Sequence, residues 1–217
     1  IGYIREQIEI DNNLNKKEKH ILLASLLYSL DKAANTVGHY DAYIKGKPIN
    51  DSFAFDLIEP YEFKNKKLHI SRLDANILAK NISCDIVYID PPYNSRQYSR
   101  FYHVLENITK WEKPELFGVA CKPKPENMSE YCKRSATKTF EELISSLNCK
   151  YIVVSYNNTY NSRSSSSRNK ISLEDIQRIL ENKGAISIFE KEHPYFNAGK
   201  SNLANHKELI FIIKVGK

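Results

Sequence analysis

The chain has 217 residues, of which 41% are hydrophobic and 27% charged, the composition of a globular protein with one packed core. Its formal net charge of +6 favours an anionic partner, although a solvated basic surface explains the same excess. Glycine is scarce, at 7 residues or about 3% against an average of roughly 7%. The glycines are too far apart to form a GxG, GxGxxG or GxxxxGK loop, which excludes functions that need such a loop within these residues.

The four cysteines lack CxxC or Cys/His ligand spacing, so we predict buried free thiols rather than a zinc site or a disulfide framework. No apolar run approaches the roughly 18 residues of a membrane span, and the N-terminus does not resemble a signal peptide. We therefore expect a cytoplasmic protein with no metal and no membrane partner. Because the chain lacks an initiator Met, we also expect it to begin inside a longer protein.

The first half of the chain begins with a clear helical pattern. Apolar residues recur at helical spacing over 15–34, where Asn15 and Glu18 form a plausible capping pair. After an irregular stretch, the pattern predicts a strand at 67–73, a short helix at 74–80 and a buried strand at 85–89.

The second half alternates helices and strands. A helix is predicted at 98–111, followed by an exposed insertion at 112–136 that is rich in lysine and proline. Further signals predict a helix capped by Thr139, a strand at 151–156, a helix that begins at Ser172 and ends with Gly184 at its C′ position, and two last strands at 185–191 and 208–215. This order predicts an α/β fold whose sheet is mostly parallel, with an antiparallel terminal strand.

One segment carries the chemistry. A strand delivers Asp90 at its carboxyl end, Pro91 and Pro92 stiffen the exit, and Tyr93 follows. Ligands bind at the carboxyl edge of open α/β sheets, and two prolines without N–H groups leave nearby carbonyls free to accept hydrogen bonds. A carboxylate, a carbonyl and an aromatic ring together suit a planar ligand with an amino group. The alternative is an ordinary turn in which the tyrosine only covers the sheet edge.

The tetrapeptide at 90–93 resembles the catalytic DPPY motif of AdoMet-dependent methyltransferases that act on amino groups, and within them the Dam-like D12 class of adenine-N6 DNA methyltransferases. The resemblance extends over roughly residues 20–215 and is supported by the strand DIVYI (85–89), by SYNN (155–158), by KELI (207–210) and by the upstream stretch 31–45. It implies a single, partial, Rossmann-like catalytic domain spanning 1–217, and methylation of DNA within a restriction-modification system.

The resemblance also implies site residues. Asp90 and the Pro91 carbonyl would accept the two amino hydrogens of a flipped adenine, Pro92 would stiffen the turn, and Tyr93 would stack on the base. Asp90 and Asp74 would contact S-adenosyl-L-methionine (AdoMet), Asp74 through the adenine ring of the cofactor. The alternative for Asp74 is a helix N-cap. Family members carry an FxGxG loop for AdoMet that these residues lack, so we expect a fold that is incomplete at its N-terminus and a further segment or subunit that supplies the loop.

Double-stranded DNA is the expected partner, and its phosphates would be held by basic residues in or after the motif segments. The candidates are Arg96, Arg100, Lys122, Lys124, Arg163 and Arg168. Solvated loop charge explains any single one of them equally well. Two other functions stay open: the same chemistry on adenine in RNA, and a non-catalytic fragment that binds nucleic acid or a partner.

Overall fold

The computed structural model describes residues 1–46, 48, 52–62, 64, 66–159, 168–192 and 205–216. The chain forms two compact units, the first made of Ile1–Ile70 with Tyr98–Glu126 and the second of Ser71–Gln97 with Asn127–Lys217. The predicted insertion at 112–136 is therefore shared between them. That residues 1–217 make up one catalytic domain stays a prediction.

The helices and strands in the described part of the chain follow this order: α1 (Gly2–Ile10), α2 (Lys16–Ala33), α3 (Ala75–Ala79), β1 (Ser83–Ile89), α4 (Tyr98–Phe101), α5 (His103–Lys110), a 3₁₀ turn (Glu130–Cys132), α6 (Ala136–Ser146), β2 (Asn148–Asn157), α7 (Leu173–Glu181), β3 (Gly184–Glu192) and β4 (Lys207–Val215). No helix in this part combines the length and apolarity that a membrane crossing requires.

The first unit is helical. The predicted capping pair of α2 is confirmed, because the Asn15 side chain accepts from the Lys17 and Glu18 amides while Glu18 accepts from the Asn15 amide. The helix predicted at 98–111 is interrupted at Tyr102, whose backbone leaves the helical region and separates α4 from α5. Buried residues of α1, α2 and α5 form the core of this unit: Ile8, Leu26, Leu30 and Ile108.

The second unit contains the sheet, with the strand order β1-β2-β4-β3. The prediction of a mostly parallel sheet is wrong for these four strands, because only β1 and β2 are parallel. The chain reverses between β3 and β4, and β4 lies between β2 and β3, so both of its pairings are antiparallel. What results is a mixed α/β sheet.

The prediction of a strand at 67–73 is also wrong. Leu68, Ile70 and Leu73 are each at least 60% exposed, and the described residues provide no strand that pairs with this segment. An alternating pattern forms a strand only where a neighbouring strand takes up its backbone hydrogen bonds. The short helix predicted at 74–80 is confirmed as α3.

One face of the sheet carries the core of the second unit. Tyr156 of β2 and Phe211 of β4 are fully buried on this face, with Phe140 of α6 and Leu180 of α7 in the same cluster. Helix α6 begins at Ala136, so the predicted cap at Thr139 is wrong. The Thr139 hydroxyl lies within the helix and donates to the Ser135 carbonyl.

The cysteines and the insertion depart partly from their predictions. All four thiols are free, but only Cys132 is buried, while Cys84 and Cys121 are exposed and Cys149 is half-buried. Most of the insertion is exposed as far as Glu130, after which the side chain of Tyr131 is buried.

Gly184 has a different role from the predicted one. The Ser172 cap of α7 is confirmed by its bond from the Asp175 amide, but this helix ends at Glu181, and Gly184 is the first residue of β3. A Cβ atom at Gly184 would lie 2.1 Å from the Lys214 carbonyl oxygen of β4. The glycine is therefore required by the close approach of two strands.

We expect Gly184→Ala to lower the free energy of unfolding by about 2 kcal/mol, because backbone atoms of β4 must shift to make room for the methyl group. Urea denaturation measures this change. Gly216→Ala is the control, since its added Cβ would come no closer than 3.9 Å to the nearest atom. Equal stability of the two variants would contradict the explanation.

Candidate active site

The residues predicted to carry chemistry follow the carboxyl ends of two parallel strands. Ile89 ends β1 and lies opposite Val154 of β2, so Asp90 and the end of β2 meet at the same sheet edge. In open α/β sheets this edge is the usual place for a ligand. Asp90 is exposed there, whereas Pro91 behind it is buried.

A side-chain hydrogen bond joins the first and last residues of the DPPY tetrapeptide. The Tyr93 hydroxyl donates to Oδ1 of Asp90 at 2.9 Å. This bond orients the carboxylate, which the sequence reasoning did not foresee because it gave Tyr93 a stacking role only. Pro91 and Pro92 have no N–H group, so this part of the backbone can accept hydrogen bonds but not donate them.

The Tyr93 backbone is held from outside the tetrapeptide. Its carbonyl accepts from the Lys170 amide at 2.7 Å and from the Tyr156 hydroxyl at 3.3 Å. The rings of Tyr93 and Tyr156 meet edge to face, with centroids 4.9 Å apart. Tyr93 is thus fixed at its carbonyl, its ring and its hydroxyl, which is the rigidity that a binding platform needs.

Burial raises the pKa of the Tyr93 hydroxyl well above its usual range, a shift that the Asp90 carboxylate reinforces and a bond with Ser155 opposes. Burial also raises the pKa of Tyr156. Both phenols therefore stay protonated at neutral pH and can donate to the acceptors they face.

A cavity of about 770 Å³ adjoins the tetrapeptide within the second unit. Its volume is in the range of small-molecule sites. Apolar residues from α3, β1 and α6 line much of it, including Leu78, Ala79, Ile82, Val87, Leu143 and Leu147. Three acidic residues also line the cavity, Asp74, Asp90 and Glu130, together with one basic residue, Arg72. Glu130 forms an ion pair with Lys133, so Asp74 and Asp90 carry most of the negative charge offered to a ligand. The cavity therefore suits a ligand with a flat apolar part and a positive charge.

Asp74 is the N-cap of α3. Its Oδ1 atom accepts from the amides of Asn76 at 2.9 Å and Ile77 at 3.1 Å, so the capping alternative raised by the sequence is confirmed. The same residue lines the cavity. Since both capping bonds use Oδ1, capping does not occupy the other carboxylate oxygen.

The sequence reasoning missed several residues that line the cavity or hold its lining in place. The Tyr131 hydroxyl donates to the Asn76 side chain at 2.7 Å, and Asn76 donates to the Thr139 carbonyl, which links the 3₁₀ turn to α3 and α6. The Gln97 amide exchanges two hydrogen bonds with the Ser129 backbone. Tyr131 lies in the segment taken for an exposed insertion, where no periodicity marked it as buried.

The basic residues predicted to contact DNA fall into different environments. Arg100 donates to the Pro123 carbonyl at 2.6 Å, and Lys122 forms an ion pair with Asp41, so both stabilise the first unit. Lys124 and Arg168 are exposed, Arg96 is half-buried, and Arg163 lies outside the described residues. Within the described ranges, no cluster of three or more His, Cys, Asp or Glu residues could hold a metal ion.

Comparison with known proteins adds a family assignment to this geometry. The profile of the family described as D12 class N6 adenine-specific DNA methyltransferase matches residues 2–160. The chain is 36% identical to the modification methylase StsI of Streptococcus sanguinis and 33% identical to the type II methyltransferase M.NlaIII of Neisseria lactamica. These alignments cover 96% and 95% of the chain.

The aligned chain spans 32% of the length of StsI and 60% of the length of M.NlaIII. A third relative, the type II methyltransferase M.FokI of Planomicrobium okeanokoites, is 34% identical over 93% of the chain and 31% of its own length. No solved structure matches the chain significantly.

The raised tyrosine pKa values predict that stability falls at alkaline pH. Above pH 10, tyrosines ionise in the unfolded chain but not in the folded one, so the unfolding free energy falls by about 1.4 kcal/mol per pH unit for each such tyrosine. Tyr156 is fully buried, and Tyr156→Phe should therefore make this slope shallower. Urea titrations between pH 9 and pH 11 test the prediction, and an unchanged slope would contradict it.

Proposed function

Because this chain belongs to the D12 class N6 adenine-specific DNA methyltransferase family, we propose that it catalyses methyl transfer from AdoMet to the N6 atom of adenine in double-stranded DNA. The observation that carries the proposal is the arrangement at the end of β1. There an exposed carboxylate, a backbone without N–H groups and a fixed tyrosine adjoin a cavity of ligand size.

The proposed chemistry begins with the amino group. The N6 lone pair of adenine is delocalised into the ring, which makes it a poor nucleophile. Asp90 and the Pro91 carbonyl accept the two amino hydrogens, so that the nitrogen directs its lone pair towards the methyl donor. Because Tyr93 bonds to Oδ1 of Asp90, Oδ2 is the atom left to accept from the base. The N6–C bond forms as the S–C bond breaks, the sulfur leaves as a neutral thioether, and the surplus N6 proton is released to solvent. Catalysis consists of positioning and electrostatic stabilisation.

Tyr93 provides the platform for the base. An adenine must leave the duplex before its N6 atom can be reached, and stacking on an aromatic ring offsets part of the cost of unstacking. The three fixed points of Tyr93 hold its ring in advance, so little conformational freedom is lost when the base arrives. Pro92 stiffens the connection between the carboxylate and this ring.

The chemical groups of AdoMet match the residues that line the cavity. Its adenine ring suits the apolar walls, and its positive charge suits the acidic lining, to which Asp74 and Asp90 contribute carboxylates. When bound, AdoMet supplies an electrophilic methyl group. Asp74 would hold the cofactor through the oxygen that does not cap α3, and Asp90 would face both the cofactor and the base.

The relatives support a place in a restriction-modification system, since they are named as modification methylases and type II methyltransferases. We extend the modification of DNA to this chain and propose that it acts in the cytoplasm. The cognate sequence is read by parts of the protein that the family resemblance does not identify.

We further propose a Rossmann-like sheet that is larger than the four described strands. Among the described residues β1 has no neighbouring strand at its outer edge, and Ile86 and Tyr88, each 62% exposed, lie on the sheet face opposite the core, which these residues leave uncovered. A parallel strand with apolar residues on both faces usually belongs to a sheet that is covered on both faces. A segment or subunit outside these residues would supply that neighbouring strand and the AdoMet loop.

Among the basic residues, Lys124 and Arg168 are the best placed to meet DNA phosphates, because their exposed side chains reach solvent. Arg96 and Arg163 stay candidates. Arg100 and Lys122 already have partners within the first unit, so we assign them a stabilising role.

Asp90→Asn should lower the rate constant kcat by about 100-fold or more, because the amide has no negative charge and only one acceptor oxygen, which the Tyr93 hydroxyl and the base would have to share. The assay is transfer of labelled methyl groups from AdoMet to unmethylated duplex DNA by the full-length protein, with N6-methyladenine identified after digestion. Asp85→Asn is the matched control, since Asp85 lies on the same strand, is exposed and pairs with Lys150.

Retention of full activity by Asp90→Asn would contradict the assigned role of the carboxylate. Absence of label from DNA with the wild-type protein would contradict the proposed function. Label in structured RNA but not in duplex DNA would identify RNA as the acceptor instead.

Lys124→Gln should weaken DNA binding and reduce the slope of log K against log salt concentration by about 0.9, the value for one phosphate contact. Fluorescence anisotropy with a duplex at several salt concentrations measures the slope. Lys138→Gln is the control, because Lys138 is an exposed lysine on α6. Equal slopes for the two variants would exclude Lys124 from the DNA contact.

A further inference from the structure

A buried polar cluster lies next to the tetrapeptide, and the proposed reaction does not use it. Its members are Asn157 at the end of β2, Thr159, and Asn169, which lies after segment 160–167. Their exposed fractions are 7%, 3% and 3%. Buried polar side chains cost stability unless they are fully hydrogen-bonded, so a cluster of three calls for an explanation.

Hydrogen bonds connect all three side chains of this cluster. The Asn169 amide nitrogen donates to the Asn157 carbonyl at 2.7 Å and to its side-chain oxygen at 3.0 Å. The Thr159 amide donates to the same side-chain oxygen. The Thr159 hydroxyl lies within hydrogen-bond distance of two oxygens, the Asn157 side-chain oxygen at 2.7 Å and the Asn169 side-chain oxygen, and its one hydrogen serves one of them at a time. Every polar atom named here then has a partner, and the chain on both sides of 160–167 is joined at the end of β2.

The residues that follow Asn169 hold Tyr93. The Lys170 amide donates to the Tyr93 carbonyl at 2.7 Å, and the Ile171 amide donates to the Tyr156 hydroxyl at 3.3 Å. That hydroxyl donates in turn to the Tyr93 carbonyl. We call the hydrogen-bonded cluster of Asn157, Thr159 and Asn169 the clamp. The clamp therefore fixes the positions of the Lys170 and Ile171 amides, and these amides fix the position of Tyr93.

We infer that Asn169 is a positioning residue that acts through the Lys170 amide to hold Tyr93 in the geometry needed for stacking. The inference rests on the proposed function for its kinetic consequence, but its structural part stands without it. Neither Asn169 nor Thr159 lines the cavity, so their effect on the reaction passes through the tetrapeptide.

The first experiment measures the position of Tyr93 without any reaction. NMR follows amide exchange at Lys170 and the ring resonances of labelled Tyr93 in the whole protein. Asn169→Ala and Thr159→Val should raise the exchange rate at Lys170 by about tenfold, because the clamp loses its central bonds. Thr159→Ser keeps the hydroxyl and should stay close to wild type.

The control is Ser29→Ala, which removes another buried hydroxyl, one that accepts from the Asp56 amide in the first unit. This variant should leave Lys170 exchange and the Tyr93 resonances unchanged. If Asn169→Ala also leaves the Lys170 exchange rate and the Tyr93 resonances unchanged, the inference is overturned. It is also overturned if Asn169→Ala and Ser29→Ala raise amide exchange equally throughout the protein.

The second experiment is a double-mutant cycle in the methyl-transfer assay. Asn169→Ala should lower kcat by about tenfold while KM for DNA changes little, because positioning is lost and phosphate contacts are not. In a Tyr93→Ala background the same change should have less than about a twofold effect, since the residue to be positioned is gone.

If the fold-decreases in kcat caused by Asn169→Ala and Tyr93→Ala multiply in the double variant, the inference is overturned. Asn169 would then act by a route that does not include Tyr93. If the wild-type protein transfers no methyl group, the proposed function fails, and the NMR comparison alone decides whether Asn169 positions Tyr93. The two failures are therefore distinguishable.

Discussion

The candidate site depends on one constraint: the chain leaves β1 through two prolines. A backbone without N–H groups cannot tie itself to its surroundings by donating, so its position must be set by donors from elsewhere. Three groups meet this need in the structure. The Tyr93 hydroxyl reaches back to Asp90, while the Lys170 amide and the Tyr156 hydroxyl converge on the Tyr93 carbonyl. The absence of N–H groups at the two prolines leaves nearby carbonyls available to a ligand. The same absence makes the site depend on hydrogen-bond donors from distant parts of the chain.

The rest of the second unit provides that support. Tyr156 is fully buried in β2, and β2 lies between β1 and β4 in the sheet. β4 in turn pairs with β3, which approaches it closely at Gly184. The antiparallel part of the sheet thus stabilises the strand from which Tyr156 extends, and helices α6 and α7 cover the same face. Distortion at the far strands would be transmitted to the tetrapeptide through packed side chains.

Local signals in the sequence predicted local features well. The strand before Asp90 and the caps at Asn15 and Ser172 depend on residues a few positions apart, and all three are present in the structure. Contacts between distant residues leave no such pattern. The bond from Lys170 to Tyr93 crosses 77 positions of the chain, and no periodicity indicates it.

Two errors have the same physical origin. Residues 67–73 alternate like a strand, but alternation does not reveal whether a neighbouring strand exists to pair with them. Gly184 follows a helix as a C′ glycine would, but the reason for a glycine there is the Lys214 carbonyl of another strand. In both cases the deciding atoms belong to a remote part of the chain.

The Asn157, Thr159 and Asn169 clamp has a consequence for how such a protein can diversify. Because it joins the chain on both sides of 160–167, changes of length or composition between these anchors need not displace Tyr93. Loop closure costs only about 0.6 kcal/mol for each doubling of loop length. Substitutions between these two anchors are therefore compatible with an unchanged position of Tyr93.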